Sequence, residues 1–325
     1  MITQEINKAI ESLINNELVA IPTETVYGLA ANAFDENAIR KIYALKNRPL
    51  HNPLIIHIKS IAAIHEVAID VPKAALKLAE TIWPGPLTLV LKKQNHISDL
   101  VTAGKDTVAI RMPNHPLTLQ LLNQLEFPLA APSANPFGSI SPTTAQHVLN
   151  YFGEKLPVIL DGGECERGIE STIIGFDKEQ PILYRLGSIP VEKIEAVVGT
   201  LHFYTNNENA PMAPGMLSRH YAPNTDTYLT NDIPKFLKFF NDKKIGLLLF
   251  NNPIQNDKIT HQEILSKSGN LMEAAKNLYA AMHRLDQMQL DVILAERFPD
   301  IDLGKTINDK LERATKKELI EKQLA

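Results

Sequence analysis

Apolar residues along the chain alternate between short unbroken runs and helical spacing. Behind Asp35, residues Ala38, Ile39, Ile42 and Leu45 recur at a 3.6-residue period. They predict a helix capped by Asp35 that ends in Lys46-Asn47-Arg48-Pro49. Apolar runs over 53–58, 87–91, 107–112, 157–160, 171–176 and 182–186 predict strands, the last two joined by a short acidic turn. Helices are expected over 74–81, 116–125 and 144–152, and residues 1–16 read as an amphipathic helix. This mixture predicts an α/β or α+β unit over 1–200 with a mixed sheet.

The pattern breaks at 201–226, which is rich in Asn and Pro and reads as an irregular linker containing Pro214-Gly215-Met216 and His220-Tyr221-Ala222-Pro223. Beyond it, runs over 245–250 and 291–294 predict buried strands. A long helix is expected over 271–288 and another over 306–314. Strands alternating with helices make 227–325 a smaller Rossmann-like α/β domain.

Composition narrows the class. The chain has 325 residues, 44% of them hydrophobic and 22% charged, enough for two ordinary cores. No apolar run reaches membrane-spanning length, so no membrane partner and a cytoplasmic location are expected. The single cysteine, Cys165, excludes an intramolecular disulfide. Its acidic neighbours Glu164 and Glu166 disfavour a thiolate nucleophile. A net charge of −4 speaks against a dedicated nucleic-acid binder, although it leaves a local basic cleft open.

Familiar motifs mostly fail. Gly304-Lys305-Thr306 lacks the upstream glycine of a phosphate loop, because Pro299 occupies that position. It reads instead as a helix N-terminus. His51 and His57 have no further ligand cluster to make a metal site, and no metal ligand is expected in the protein. The informative groups sit at the ends of predicted strands and turns. They are the hydroxyls of Pro22-Thr23-Glu24-Thr25, the cations Lys46 and Arg48, Arg111 and Arg185, the polar turn Ser133-Ala134-Asn135, and Ser171. Arginine can hold a carboxylate or phosphate bidentately. Five such ends predict a shared cleft for a small anion along one edge of the sheet.

Taken in order, these residues resemble the YrdC-type threonylcarbamoyl-AMP synthase family. The resemblance rests on Pro22-Thr-Glu-Thr-Val-Tyr-Gly-Leu29, Lys46-Asn-Arg-Pro-Leu-His-Asn-Pro-Leu54, Trp83-Pro-Gly-Pro-Leu-Thr88, Arg111-Met-Pro113, Ala131-Pro-Ser-Ala-Asn135, and Asp161-Gly-Gly163 with Glu170-Ser-Thr-Ile-Ile174. Pro214-Gly-Met216 and His220-Tyr-Ala-Pro223 are similar to the family's long form. Ala30, Phe137 and Leu186 depart from its usual pattern, and none of them carries charge.

The resemblance implies a YrdC-like twisted open mixed sheet, a linker that folds over the active site, and the smaller second domain. It implies that threonine, bicarbonate and ATP give threonylcarbamoyl-AMP and pyrophosphate. The product would serve modification of an adenosine beside the anticodon of tRNA, through downstream threonylcarbamoyl transferase proteins, and whether tRNA binds directly stays open. Threonine would meet Thr25, His57, Arg111, the Ala131 backbone and Ser171. ATP, with Mg²⁺ on its phosphates, would meet Arg48, Asn52, Thr107, Ser133, Asn135, Ser141 and Arg185, covered by His220 and Tyr221. Lys46 and Arg48 would carry the catalytic charge, Lys46 beside the bicarbonate. Alternatives are a double-stranded RNA or tRNA-binding module without chemistry, a carbamoyl transferase, and a structural or ribosome-associated protein. Carbamoyl transferases with related domains carry zinc-finger modules, and this chain has no Cys-x-x-Cys.

Overall fold

The computed structural model describes residues 1–204, 213–215 and 220–316. The predicted linker is therefore described only in part: Asn206 to Pro211 and Met216 lie outside the described residues. The chain divides into two compact units, Met1–Phe137 with Ser141–Leu217, and Gly138–Ile140 with Ser218–Ala325.

In chain order the first unit contains β1 (Ile2–Thr3), α1 (Ile6–Ile14), β2 (Val19–Ile21), β3 (Gly28–Asn32), α2 (Glu36–Lys46), β4 (Ile55–His57), α3 (Ile64–Val67), α4 (Lys73–Ile82), β5 (Leu87–Lys92), α5 (Asp99–Thr102), β6 (Thr107–Arg111), α6 (Pro116–Gln124), β7 (Leu129–Ala130), α7 (Ala145–Phe152), β8 (Val158–Leu160), β9 (Thr172–Asp177), β10 (Gln180–Arg185), α8 (Val191–Val198) and β11 (His202–Phe203). The strands form one eleven-stranded sheet in the order β1-β8-β2-β3-β7-β4-β6-β5-β9-β10-β11. Parallel pairs such as β4–β6 and β5–β9 are interleaved with antiparallel ones such as β5–β6 and β9–β10, so the sheet is mixed.

Side chains alternate across a sheet, and the alternation assigns the two faces. Ile56, Leu87, Leu89, Leu91, Ile110 and Ile174 point into the main core with Ile39, Ile42 and Leu78 of the helices. Ile55, Val90, Ala109 and Ile173 point the other way and form a separate small apolar cluster that Ala213 joins. This second face carries the site.

The second unit contains β12 (Thr227–Thr230), α9 (Ile233–Phe236), β13 (Ile245–Leu249), β14 (Ile259–Ile264), α10 (Leu271–Asp286), β15 (Val292–Glu296) and α11 (Asp302–Ala314). Its strands are all parallel in the order β12-β15-β13-β14, a Rossmann-like layer. Tyr228, Ile245, Leu247, Leu249 and Leu294 pack with Ile233 and Phe236 on one face. On the other face α10 comes so close that a Cβ on Gly246 would lie 3.1 Å from Leu285 and 2.4 Å from Leu290.

Most of the predicted elements are present. The Asp35 carboxylate accepts the Ala38 N–H at 2.8 Å and starts α2 as expected. Gly304 lies in the first turn of α11, which begins earlier than the predicted 306. The N-terminal helix is shorter than 1–16, because Ile2–Thr3 pairs with β8 instead. Strands β1, β3, β11, β12 and β14 and helices α3, α5, α8 and α9 are additions to the expected set. Among the described residues no helix is long and apolar enough to cross a membrane.

Candidate active site

The polar candidates on the large sheet share one face of it and sit at strand ends, while Lys46, Arg48, Asn52, Ser133 and Asn135 lie in the segments beside it. Thr107 and Arg111 share the parity of Ala109, and His57 that of Ile55. Thr88 shares that of Val90, and Ser171 that of Ile173. An apolar floor is thus bordered by polar groups on neighbouring strands.

One row crosses the ends of several strands. His57 and Arg111 are register partners on β4 and β6. Thr88 Oγ1 and Ser171 Oγ lie 2.8 Å apart. Arg185, beyond a bulge in β10, donates to the Ser171 carbonyl at 2.9 Å and to its hydroxyl at 3.2 Å. Gly187 makes this approach possible, since a Cβ there would sit 2.2 Å from the Ser171 carbonyl carbon. Arg185 also donates to the Pro214 carbonyl at 2.9 Å, so the described piece of the linker packs on this face.

Arg111 is buried against Glu24, with Nη2 2.8 Å from Oε2. The same oxygen accepts the Asn114 N–H at 3.0 Å. Removing this pair from water costs several kcal/mol per ion, which only close geometry and further partners offset. Glu24 sits in the turn between β2 and β3, held by Thr23, whose hydroxyl bonds the Val26 carbonyl at 2.6 Å and lies 2.9 Å from Thr25 Oγ1. Burial, and secondly the Arg111 charge, lower the His57 imidazole to about 3, so it is neutral at ordinary pH. Ala131 spends its N–H on the Ile55 carbonyl at 2.9 Å.

A second group lies where α2 meets the turn after β7. Asn47 takes the left-handed conformation (φ 52°) at the end of α2, which asparagine tolerates better than most residues. The chain reverses there, and Lys46 and Arg48 are both buried. Lys46 Nζ donates to the carbonyls of Ser133 and Asn135, each at 2.5 Å. Burial first, then the Arg48 charge, holds its ammonium well below the usual lysine range. Arg48 bonds Asn52 Oδ1 and the Pro53 carbonyl, both at 2.7 Å. Ser141 donates to Glu170, next to Ser171, at 2.6 Å.

Lys46, Arg48, Asn52, Ser133 and Asn135 are thus brought together, as are His57, Arg111, Ser171 and Arg185. His220 and Tyr221 lie in the second unit. There Tyr221 stacks on Tyr279, with ring centroids 5.6 Å apart, and Lys310 Nζ sits 5.0 Å from its ring. Glu24 and Thr88 were not singled out from the sequence. Glu24 was visible as the one acid in a turn of hydroxyls, and Thr88 by its parity with Val90.

Several buried polar atoms have no hydrogen-bond partner among the described residues: His57 Nδ1, Arg111 Nε, Asn52 Nδ2, Thr107 Oγ1 and Glu24 Oε1. Such atoms are costly unless something binds them. His57, Arg111, Asn52 and Thr107 were singled out from the sequence; His115 Nδ1 and Ser188 Oγ, which were not, are unpartnered too.

The family model Sua5_yciO_yrdC, described as telomere recombination, matches residues 11–187, and the threonylcarbamoyl-AMP synthase C-terminal domain model matches 189–315. The chain is 41% identical to a threonylcarbamoyl-AMP synthase of Pyrococcus abyssi over 92% of its own length and 90% of the relative's. It is 38% identical to that of Bacillus subtilis, over 95% and 92%. The crystal structure of P. abyssi Sua5 complexed with L-threonine superposes with a TM-score of 0.88 at 40% identity, covering 95% of this chain and 94% of that one. The chain belongs to the threonylcarbamoyl-AMP synthase family, in its two-domain form.

Proposed function

We infer that the protein makes L-threonylcarbamoyl-AMP from L-threonine, bicarbonate and ATP, with pyrophosphate and water as the other products. The observation that carries this reading is the set of buried, unpartnered polar atoms around an apolar floor. In this reading the Arg111 guanidinium takes the threonine carboxylate, with Glu24 fixing its orientation. Neutral His57, Thr25, Ser171 and the Ala131 backbone hold the rest of the amino acid. ATP, arriving as its Mg²⁺ complex, lies toward Asn52, Thr107, Ser133, Asn135, Ser141, Arg48 and Arg185.

The chemical obstacle is electrostatic. Threonine and bicarbonate condense to a dianionic N-carboxy species, whose new carboxylate must attack the α-phosphate. Fixed cations close to both anions lower that repulsion, and no protein nucleophile is needed. Lys46, expected beside the bicarbonate, donates to two carbonyls, so in this reading it positions the 133–135 turn and Arg48 supplies the catalytic charge. The product would then supply the threonylcarbamoyl group to tRNA through transferase partners.

The test is pyrophosphate release from ATP by the purified protein. Release that needs both threonine and bicarbonate is expected. Release without threonine, or none at all, overturns the reading.

A further inference from the structure

The second unit holds a cleft of about 500 Å³ that the proposed reaction does not use. Small-molecule sites commonly span roughly 300–1,000 Å³. Its place in the fold is informative. The chain leaving β12 turns into α9, which packs on the Tyr228 and Leu247 face. The chain leaving β15 turns into α11, which packs against α10 of the opposite face. β12 is an edge strand of this sheet, and α9 and α11 on opposite faces leave a cleft along its open edge. The cleft runs from Asn231 and Arg297, beyond the ends of β12 and β15, past Leu229 and Thr230 to Lys316, whose N–H bonds the Thr227 carbonyl at the start of β12 at 3.0 Å.

The lining chemistry is mixed in a specific way. Lys235 has no ion-pair or hydrogen-bond partner for its ammonium among the described residues. Arg297 holds Glu312 at 2.7 Å and lies 3.7 Å from Asp300, so a phosphate would share it with them, and Lys316 holds Asp226 at 2.6 Å. Asp232 uses one carboxylate oxygen to accept the Lys235 N–H at 2.9 Å. Leu229 and Phe236 supply apolar surface. A free cation suits a phosphate, the second oxygen of Asp232, which caps α9, suits a ribose hydroxyl, and the edges of Phe236 and Leu229 suit a planar base.

We propose that this cleft is a second ligand site, which binds a nucleoside monophosphate with its phosphate on Lys235 and Arg297. The site is independent of the reaction assigned to the large sheet. One excess cation in the lining limits affinity to a Kd on the order of 0.1–1 mM.

The experiment is a titration of the isotopically labelled full-length protein with AMP, adenosine and inorganic phosphate separately, followed by backbone amide shifts. AMP is expected to move the amides of Thr230, Asn231, Lys235 and Arg297 in a saturable way. In Lys235→Ala, an exposed substitution that keeps the spectrum dispersed, the same shifts should need about tenfold more AMP, the loss typical of one charge-assisted contact. Silent amides at these positions overturn the site. Equal affinity for AMP and phosphate overturns the nucleoside part, equal affinity for AMP and adenosine overturns the phosphate part, and an unchanged Lys235→Ala overturns the orientation.

Discussion

The two sheets of this protein manage their faces in different ways. The small parallel sheet is covered on both faces, which leaves its strand ends and its edges for a ligand. The large mixed sheet buries one face under helices; on the other, α1 and α6 cover β8, β2, β3 and β7, while β4, β6, β5 and β9 carry polar rows around an apolar floor. A ligand on a face meets side chains of the same parity from many strands at once. That geometry suits a reaction that must hold two anions together. The cost is that charged and hydrogen-bonding groups are buried in the large sheet without full protein partners.

That cost can be measured. The largest effect is expected at the Glu24–Arg111 pair. Arg111→Ala leaves Glu24 charged and buried, and should lower stability to urea by about 3–5 kcal/mol. Threonine-dependent pyrophosphate release should fall by at least about a hundredfold. The double variant Glu24→Gln/Arg111→Met should recover most of the stability and none of the activity. A double variant as unstable as the single one would show that the pair is not what stabilises this region.

Next comes Arg48→Ala, which removes hydrogen bonds to Asn52 and Pro53 and is expected to cost about 2–3 kcal/mol. In the folded fraction, most activity should be lost and the KM for ATP should rise more than that for threonine. An equal rise in both would place Arg48 outside the nucleotide side.

The smallest effect is a pH dependence. The His57 imidazole titrates near 3 in the folded chain against an ordinary value of 6.5. Below 6.5 the unfolded chain takes up a proton that the folded chain refuses. The histidine's contribution is thus complete above 6.5 and declines as pH falls toward 3, by up to about 1.4 kcal/mol per pH unit. Between pH 6.5 and 5, wild type should lose about 2 kcal/mol more than His57→Gln in urea unfolding. Parallel losses in the two proteins would mean that another group governs acid sensitivity.

Much of this was readable in the chain because local signals were strong. The Asp35 cap, the period of Ile39 and Ile42, and the run before His57 each specify their element alone. β14 escaped because it is an edge strand, Ile-Thr-His-Gln-Glu-Ile, only partly buried and mostly polar. β3, Gly-Leu-Ala-Ala-Asn, has no β-branched residue to announce it. The polar site residues were legible as a set, and their common parity was present in the sequence. Which parity the helices cover depends on tertiary packing, so the residues were readable as strand ends but not as members of one face. Glu24 was missed for a related reason: its importance lies in Arg111, far away in sequence and adjacent only once the sheet has formed.

β7 is short, but the chain around it extends its pairing. Leu129 and Ala130 join β3 on one side to β4 on the other. The join continues past them: the Ala33 N–H reaches the Pro128 carbonyl at 3.0 Å, the Leu29 N–H the Pro132 carbonyl at 2.7 Å and the Ala131 N–H the Ile55 carbonyl at 2.9 Å. The turn 131–135 is also pinned to α2 through Lys46. One stretch of chain, 128–135, thus ties together the strand beside Thr25, the strand that carries His57 and the helix that ends in Lys46, so a local change there would reach every side of the site at once.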